Sequence, residues 1–409
     1  MKKQMIAGGV MLASLGAACA QGLYDLAPND DALESLPITW SAGISVGYDD
    51  NVTPTVIKGS EGYEDDSGYV SAYVGAAWVS ITPQTTWDVY GRIGGTYYFD
   101  QPAAMSSDAY GEGRLGVNWA HRVSERLRFS SRNYVAYEME PDYNWGLTLD
   151  RQLDPYFHWT TDNAVGYRWT ERFATYTGFT FHGVDYDTAA SGNDRTTWSV
   201  YNQFRYRSTE QTVWTLDYRY SATSADGTAE DSDSHYLLAG IEHRFSPNTV
   251  GVLKAGAQFR DSDSGDDNTS PFFEGALRSR VNDQFSVRAF ARYSMEDYGT
   301  SFGGYYYDLN DTFRLGISAD YIVSPQLTLH GGLNYIMTDY QDANIAGISD
   351  LDQDLWNLYV GFSYKVNDSV YVTGSYNYTD SSSGGGLPAA ADSRDYSQNR
   401  ASLGLRYEF

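Results

Sequence analysis

Arginines recur at even spacings inside short stretches where polar and apolar residues alternate. Arg128 and Arg132, Arg278 and Arg280, and Arg288 and Arg292 are two or four residues apart, so in an extended chain each pair shares one face. Arg92, Arg114, Arg205, Arg219, Arg260, Arg314, Arg400 and Arg406 fall on the polar side of their own stretches. Fewer acids share that side: Asp88, Glu112, Asp162, Asp217, Glu242, Glu274, Asp320 and Glu408. A guanidinium binds carboxylate or phosphate through its planar fork, and rings of like charge set the ion preference of a pore. For any one arginine the simpler account is bracing of a wall through Glu and Asp. Taken together, these residues are candidates for lining a pore that favours anions.

Other chemistry is harder to assemble. Asp261, Asp263, Asp266 and Asp267 form an acidic stretch without the Asp-x-Asp-x-Asp-Gly and distal Glu of an EF-hand loop. It reads as a solvated acidic loop, with bridging of lipopolysaccharide phosphates through divalent cations as the sharper alternative. His121, His158, His182, His235, His243 and His330 are scattered and form no zinc pair. His182 beside Asp185 and Asp187 is the nearest approach to a catalytic pair, and a contact at a loop base is the plainer account. No phosphate loop or nucleophile elbow occurs. The sequence implies neither an enzyme nor a cofactor.

The elements that must position the arginines are strands. In the last nine residues, Leu403, Leu405, Tyr407 and Phe409 alternate with Ser402, Gly404, Arg406 and Glu408. A period-two strand with one apolar and one polar face that ends on Phe fits a barrel wall between lipid and a wet interior. Ile38, Trp40, Ile44 and Val46 repeat the pattern near the start, as do Phe313, Leu315, Ile317 and Tyr321 later. The stretch 173–186 is ambiguous, because aromatics and threonines occupy both faces.

Eight short turn signals punctuate the chain at 82–84, 123–125, 170–172, 208–210, 246–248, 281–283, 324–326 and 366–368. Their Pro, Ser, Thr and Asn-Asp steps suit tight β-turns. Between them lie longer connections rich in Gly, Ser and Asp, such as 225–234, 261–267 and 381–386. Short turns alternating with longer loops predict an all-β, antiparallel transmembrane barrel of eighteen strands, the first over 38–49 and the last over 396–409, with both termini periplasmic. A propeller repeats at a similar period, but it needs four strands where each repeat here has room for two. Trp78, Trp87, Trp119, Trp169 and Trp214 sit beside the tight turns on the apolar face, where an aromatic girdle would lie. Loops of about 8 to 17 residues include none long enough to be an obvious constriction.

Composition agrees. Lys2 and Lys3, an apolar run and Ala18-Cys19-Ala20 read as a secretory signal over 1–20, and its removal takes away the only cysteine. Residues 21–37 are then a short periplasmic segment, free to hang or to enter the pore, and 38–409 form the barrel. Mean hydropathy is −0.47, and no run approaches the roughly 18 apolar residues of a membrane helix. The 36 Tyr, 10 Trp and 40 Gly suit bilayer interfaces and closely packed walls. A formal charge of −25 argues against nucleic acid as a partner.

Gly47-Tyr48-Asp49-Asp50-Asn51 at the end of the first strand, together with the terminal strand ending at Phe409, resembles the β-barrel porin type 2 family of Gram-negative outer-membrane proteins. The resemblance implies the outer membrane as location and no catalytic residues. Lipid, lipopolysaccharide and the barrel-assembly machinery, recognising the strand that ends at Phe409, are the expected partners, and a homo-oligomer is open. The leading function is passive passage of small hydrophilic, anionic solutes. An export conduit for an acidic exopolysaccharide and a non-conducting adhesive barrel stand as alternatives.

Overall fold

The computed structural model describes residues 35–54, 65–101, 103–141, 143, 155–187, 194–226, 231–263, 267–296, 301–302, 305–343, 350–385 and 395–409. The signal over 1–20 and most of the segment 21–37 lie outside the described residues, as does Asp266 of the acidic stretch.

The strands in chain order are β1 (Leu36–Asp49), β2 (Ser67–Ile81), β3 (Thr85–Tyr98), β4 (Ala109–Arg122), β5 (Leu127–Glu138) and β6 (Tyr156–Arg168). Next come β7 (Phe173–Tyr186), β8 (Arg195–Arg207), β9 (Thr212–Ala225), β10 (Ser232–Ser246), β11 (Thr249–Ser262), β12 (Asn268–Arg280) and β13 (Phe285–Met295). The last six are β14 (Ser301–Phe302), β15 (Tyr305–Ile322), β16 (Leu327–Ala343), β17 (Leu351–Lys365), β18 (Val370–Gly385) and β19 (Tyr396–Glu408). β14 pairs only with the start of β15 and stands outside the ring. The other eighteen pair antiparallel with their neighbours, and β1 pairs with both β2 and β19, so the sheet closes on itself. Closure removes the free edges that an open sheet would present. The eighteen-stranded expectation is met.

All eight tight turns are present, and most are built alike. Thr82, Ser124, Thr170, Thr209 and Ser324 each offer a hydroxyl to a backbone N–H two or three residues on. Asn282 and Asn367 do the same with their amide oxygens. These side chains complete the donors that a two-strand reversal leaves open, which is why Ser, Thr and Asn recur there. At the opposite end the strands run further than the sequence predicts. Ala225, Asp261, Ser262 and Ser381–Gly385 belong to β9, β11 and β18 rather than to loops.

The two faces of the wall differ as membrane crossing requires. Ile44, Val46, Leu253, Leu358, Leu403, Leu405 and Phe409 point outward and are exposed. Spread over a whole circumference, apolar surface of this kind is stable only against lipid. Among the described residues no helix is long and apolar enough to cross a membrane; strands do the crossing. Trp78, Trp87, Trp169 and Trp214 are exposed on the outward face beside the tight turns. Trp119 packs on Trp87 with ring centres 5.8 Å apart. The register also settles 173–186: Tyr176 and Gly178 lie opposite inward Gln203 and Tyr201, so Phe173, Thr175, Thr177 and Phe179 face outward.

Candidate functional site

The cross-strand register carries every candidate arginine to the inner face. Arg92 lies opposite Arg114, Arg132 opposite Asp162, Arg219 opposite Tyr201 and Tyr236, Arg278 opposite Arg288, and Arg292 opposite Arg314. Arg128 faces Arg122, Arg260 faces Ser234, and Arg406 faces Tyr371. Arg205 lies opposite Thr215 and Arg400 opposite Asp49. Register fixes these positions because a slip of one residue would turn every side chain to lipid.

Several arginines are braced, as the simpler account expects. Arg92 Nη2 is 2.6 Å from Glu112 Oε1, and its guanidinium lies over the Tyr73 ring at 4.1 Å. Arg205 Nη2 is 2.5 Å from Glu242 and its Nη1 donates to Gln203. Arg314 donates to both carboxylate oxygens of Glu296, which also holds Arg292. Arg406 Nε is 3.0 Å from Glu408, and its guanidinium covers the Tyr371 ring at 4.6 Å. Arg288 reaches Asp320 at 4.0 Å. Arg219 stacks over Tyr236 at 5.5 Å.

The register nonetheless places four arginine pairs directly opposite each other on one face: Arg92–Arg114, Arg122–Arg128, Arg278–Arg288 and Arg292–Arg314. Like charges so placed are destabilising. Carboxylates offset two of these pairs: Glu296 bridges Arg292 and Arg314, and Glu112 holds Arg92.

At the end carrying the long loops, described residues fold inward. Val52, Met105 and Met139, each from a different connection, pack on the inward rings of Tyr69 and Tyr98. Glu140 pairs with Arg400 on β19, and its carbonyl accepts from Tyr156 of β6 at 2.9 Å. Tyr143 packs on the buried cluster Tyr307, Ile336, Tyr340, Leu351 and Leu355, on the inner face of β15 to β17. From Met139 to Tyr143 is four peptide steps, a reach of about 14 Å. The start of the connection after β5 therefore turns inward, with Met139 on the β2–β3 rings and Tyr143 on the inner face of β15 to β17. Tyr143 finds an apolar seat on that cluster.

Sequence reasoning missed this packing and three acids that brace the inner wall: Glu138, Glu140 and Glu296. Glu138 holds the fully buried His158 at 3.1 Å. Its inward parity in β5 was a usable signal; Glu140 and Glu296 lie beyond the strand ends, where alternation says nothing. The His182–Asp185 pairing is also corrected. The two are three residues apart in β7, so His182 faces inward and Asp185 outward. Outside, near the long loops, Asp311, Asp339 and Asp352 lie side by side across β15, β16 and β17. Tyrosines beneath donate to similar carboxylates: Tyr335 to Asp354 at 2.6 Å, Tyr220 to Asp233 at 3.0 Å and Tyr48 to Asp66 at 2.6 Å. Among the described residues no group of three or more His, Cys, Asp or Glu is placed to hold a metal ion.

Residues 243–409 match the model of a family described as outer membrane protein beta-barrel domain. No curated protein matches the sequence. Among solved structures, OccAB4 of Acinetobacter baumannii is similar at 12% identity, with 92% of this chain and 99% of that chain covered and a TM-score of 0.47. OpdK of Pseudomonas aeruginosa, solved with vanillate, shares 11% identity over 91% of this chain and 99% of its own, with a TM-score of 0.47. OccK2 (OpdF) of Pseudomonas aeruginosa, in complex with glucuronate, shares 12% over 91% and 98%, with a TM-score of 0.45.

Proposed function

We propose that this outer-membrane β-barrel is a porin-like channel that passes small hydrophilic solutes and favours anions. The observation that carries the reading is the inner wall: in a closed ring whose outer face is apolar, all thirteen candidate arginines project inward. A lumen of this strand number can enclose an aqueous path. Solutes enter at the long-loop mouth, past the segment held by Glu140 and Tyr143, and leave at the tight-turn end, which faces the periplasm. The long-loop mouth is acidic on its outside, so discrimination among anions falls to the inner wall after entry. Transport, not catalysis, is the work of such a wall. In the same reading, β19 with its terminal Phe409 is the segment the assembly machinery recognises, and the outward Asp and Tyr side chains near the long loops meet lipopolysaccharide head groups.

Solute influx into liposomes carrying the refolded protein tests the proposal. Swelling in an isosmotic solution of a small neutral sugar should be faster than in protein-free vesicles. Replacing Arg278 and Arg288 together by Gln should lower anion influx relative to neutral influx. A folded barrel that leaves swelling unchanged removes the channel reading and favours a surface role for the acidic loop end.

A further inference from the structure

Midway up the wall the outer face is apolar except at one place. On β5, β6, β7 and β8, Ser131, Asn133, Thr161, Asn163, Thr177 and Asn202 point outward. They lie five to eight residues from the tight-turn ends of their strands. At that height the described residues of every other strand in the ring turn only apolar, aromatic or glycine positions outward. From the girdle residue Trp169 to Asn163 is about 20 Å along a tilted strand and about 15 Å up the wall. The apolar band of such a barrel is about 25 Å tall, so the amides sit near its middle.

The patch is a bonded unit. Ser131 donates to Asn163 at 2.7 Å, Asn163 to Thr161 at 2.7 Å, Thr161 to Asn133 at 2.7 Å, and Asn133 back to Ser131 at 3.0 Å, which closes a ring of hydrogen bonds. Beside it Asn202 donates to Thr177 at 3.1 Å. The ring orients each amide, yet it uses only half of the Asn163 carboxamide, which has two donors and two acceptor pairs. Asn163 and Thr177 are exposed on the outer face. Acyl chains offer neither donors nor acceptors, so polar capacity left open at this depth is costly. Lipid cannot fill the other half of that amide; another protein surface can.

We infer that this face of β5 to β8 is the interface at which two copies of the chain meet in the membrane. The chemistry selects a copy. Amides and hydroxyls both donate and accept, and the patch carries no charge that would call for an opposite one. Turned about a two-fold axis along the membrane normal, the same patch presents donors to acceptors on both sides. An axis beside Asn163 brings that amide within reach of its counterpart. Exposed Val165, Phe179 and Val200 flank the patch; they pack across the interface and keep acyl chains from the polar centre. The inference is independent of conduction, since it concerns the outer face alone.

Native mass spectrometry of the refolded protein released from lipid vesicles should give twice the mass of one chain. Replacing the whole ring by Ser131→Ala, Asn133→Leu, Thr161→Val and Asn163→Leu should weaken the dimer by about tenfold or more, the worth of two hydrogen bonds between the copies. That set removes the ring's donors together with their acceptors and leaves an apolar face to lipid, so each barrel should keep its fold, as read from heat-dependent gel mobility. A second test needs no such redesign. In a chain with Cys19→Ser, Asn163→Cys should oxidise in vesicles to a disulfide-linked dimer, several-fold more than Leu333→Cys on β16, across the ring. A mass other than the dimer's, a dimer that the four substitutions leave intact, or no more cross-linking at 163 than at 333 would overturn the inference.

Discussion

At the scale of single residues, the charges of the inner wall are held by a few carboxylates, and Glu296 is the most exacting of them. It stands one residue beyond β13, almost fully buried, and holds Arg314 and Arg292. Burial alone would push its carboxyl up, but the two guanidiniums outweigh burial and hold it below its ordinary value of 4.5. Breaking such a pair leaves a buried charge alone, at a cost of about 3–5 kcal/mol. Glu296→Gln should therefore lower the unfolding temperature of the barrel markedly, as read from the heat-dependent shift in its gel mobility. The pH dependence follows from the sign of the shift. A carboxyl depressed in the folded state contributes stability that is present above pH 4.5 and lost as pH falls through the folded value. Wild type should weaken on acidification below that point more steeply than the Gln variant. Parallel curves would show that Glu296 carries no differential charge.

At the scale of strands, alternation and turn residues made the architecture legible, and particular failures show why the rest was not. The tight turns were readable because a Ser, Thr or Asn must complete their backbone donors at a fixed offset, as Asn367 does for Ser369 and Val370. The far ends of β9, β11 and β18 have the Ser and Asp content of loops, yet the pairing continues through Ser262 and Ser381. The inner parity of the arginines was readable; the bracing acids beyond the strand ends were not. The glycines of the inner wall carry a signal that alternation alone does not expose. A Cβ on Gly178 would lie 2.2 Å from the Tyr201 ring, which covers that bare backbone while its hydroxyl donates to Asp162 at 2.8 Å. Gly111, on the outward face, has nothing within 4 Å of the same atom. Gly178→Val should thus cost about 1–3 kcal/mol through overpacking, while Gly111→Val should be near neutral. Equal losses of thermal stability at the two positions would contradict this account of the tyrosine–glycine contacts.

At the scale of the whole molecule, the barrel is closed in the plane of the membrane, and residues of its long-loop connections fold onto the inner face. Glu140 on Arg400 and Tyr143 on the β15–β17 cluster hold the start of the connection after β5 against the inner wall. Releasing it by Tyr143→Ala, alone or with Glu140→Gln, should raise single-channel conductance without unfolding the wall, because neither side chain belongs to a strand. Unchanged conductance would place the narrowest point elsewhere along the lumen. The most direct measurement is the conductance of the refolded wild-type protein in a planar bilayer, with a salt gradient to read the reversal potential. Discrete, steady current steps reversing on the anion side are the predicted result. A barrel that is folded by its gel mobility yet passes no current in either direction would contradict the claim that this wall lines a channel.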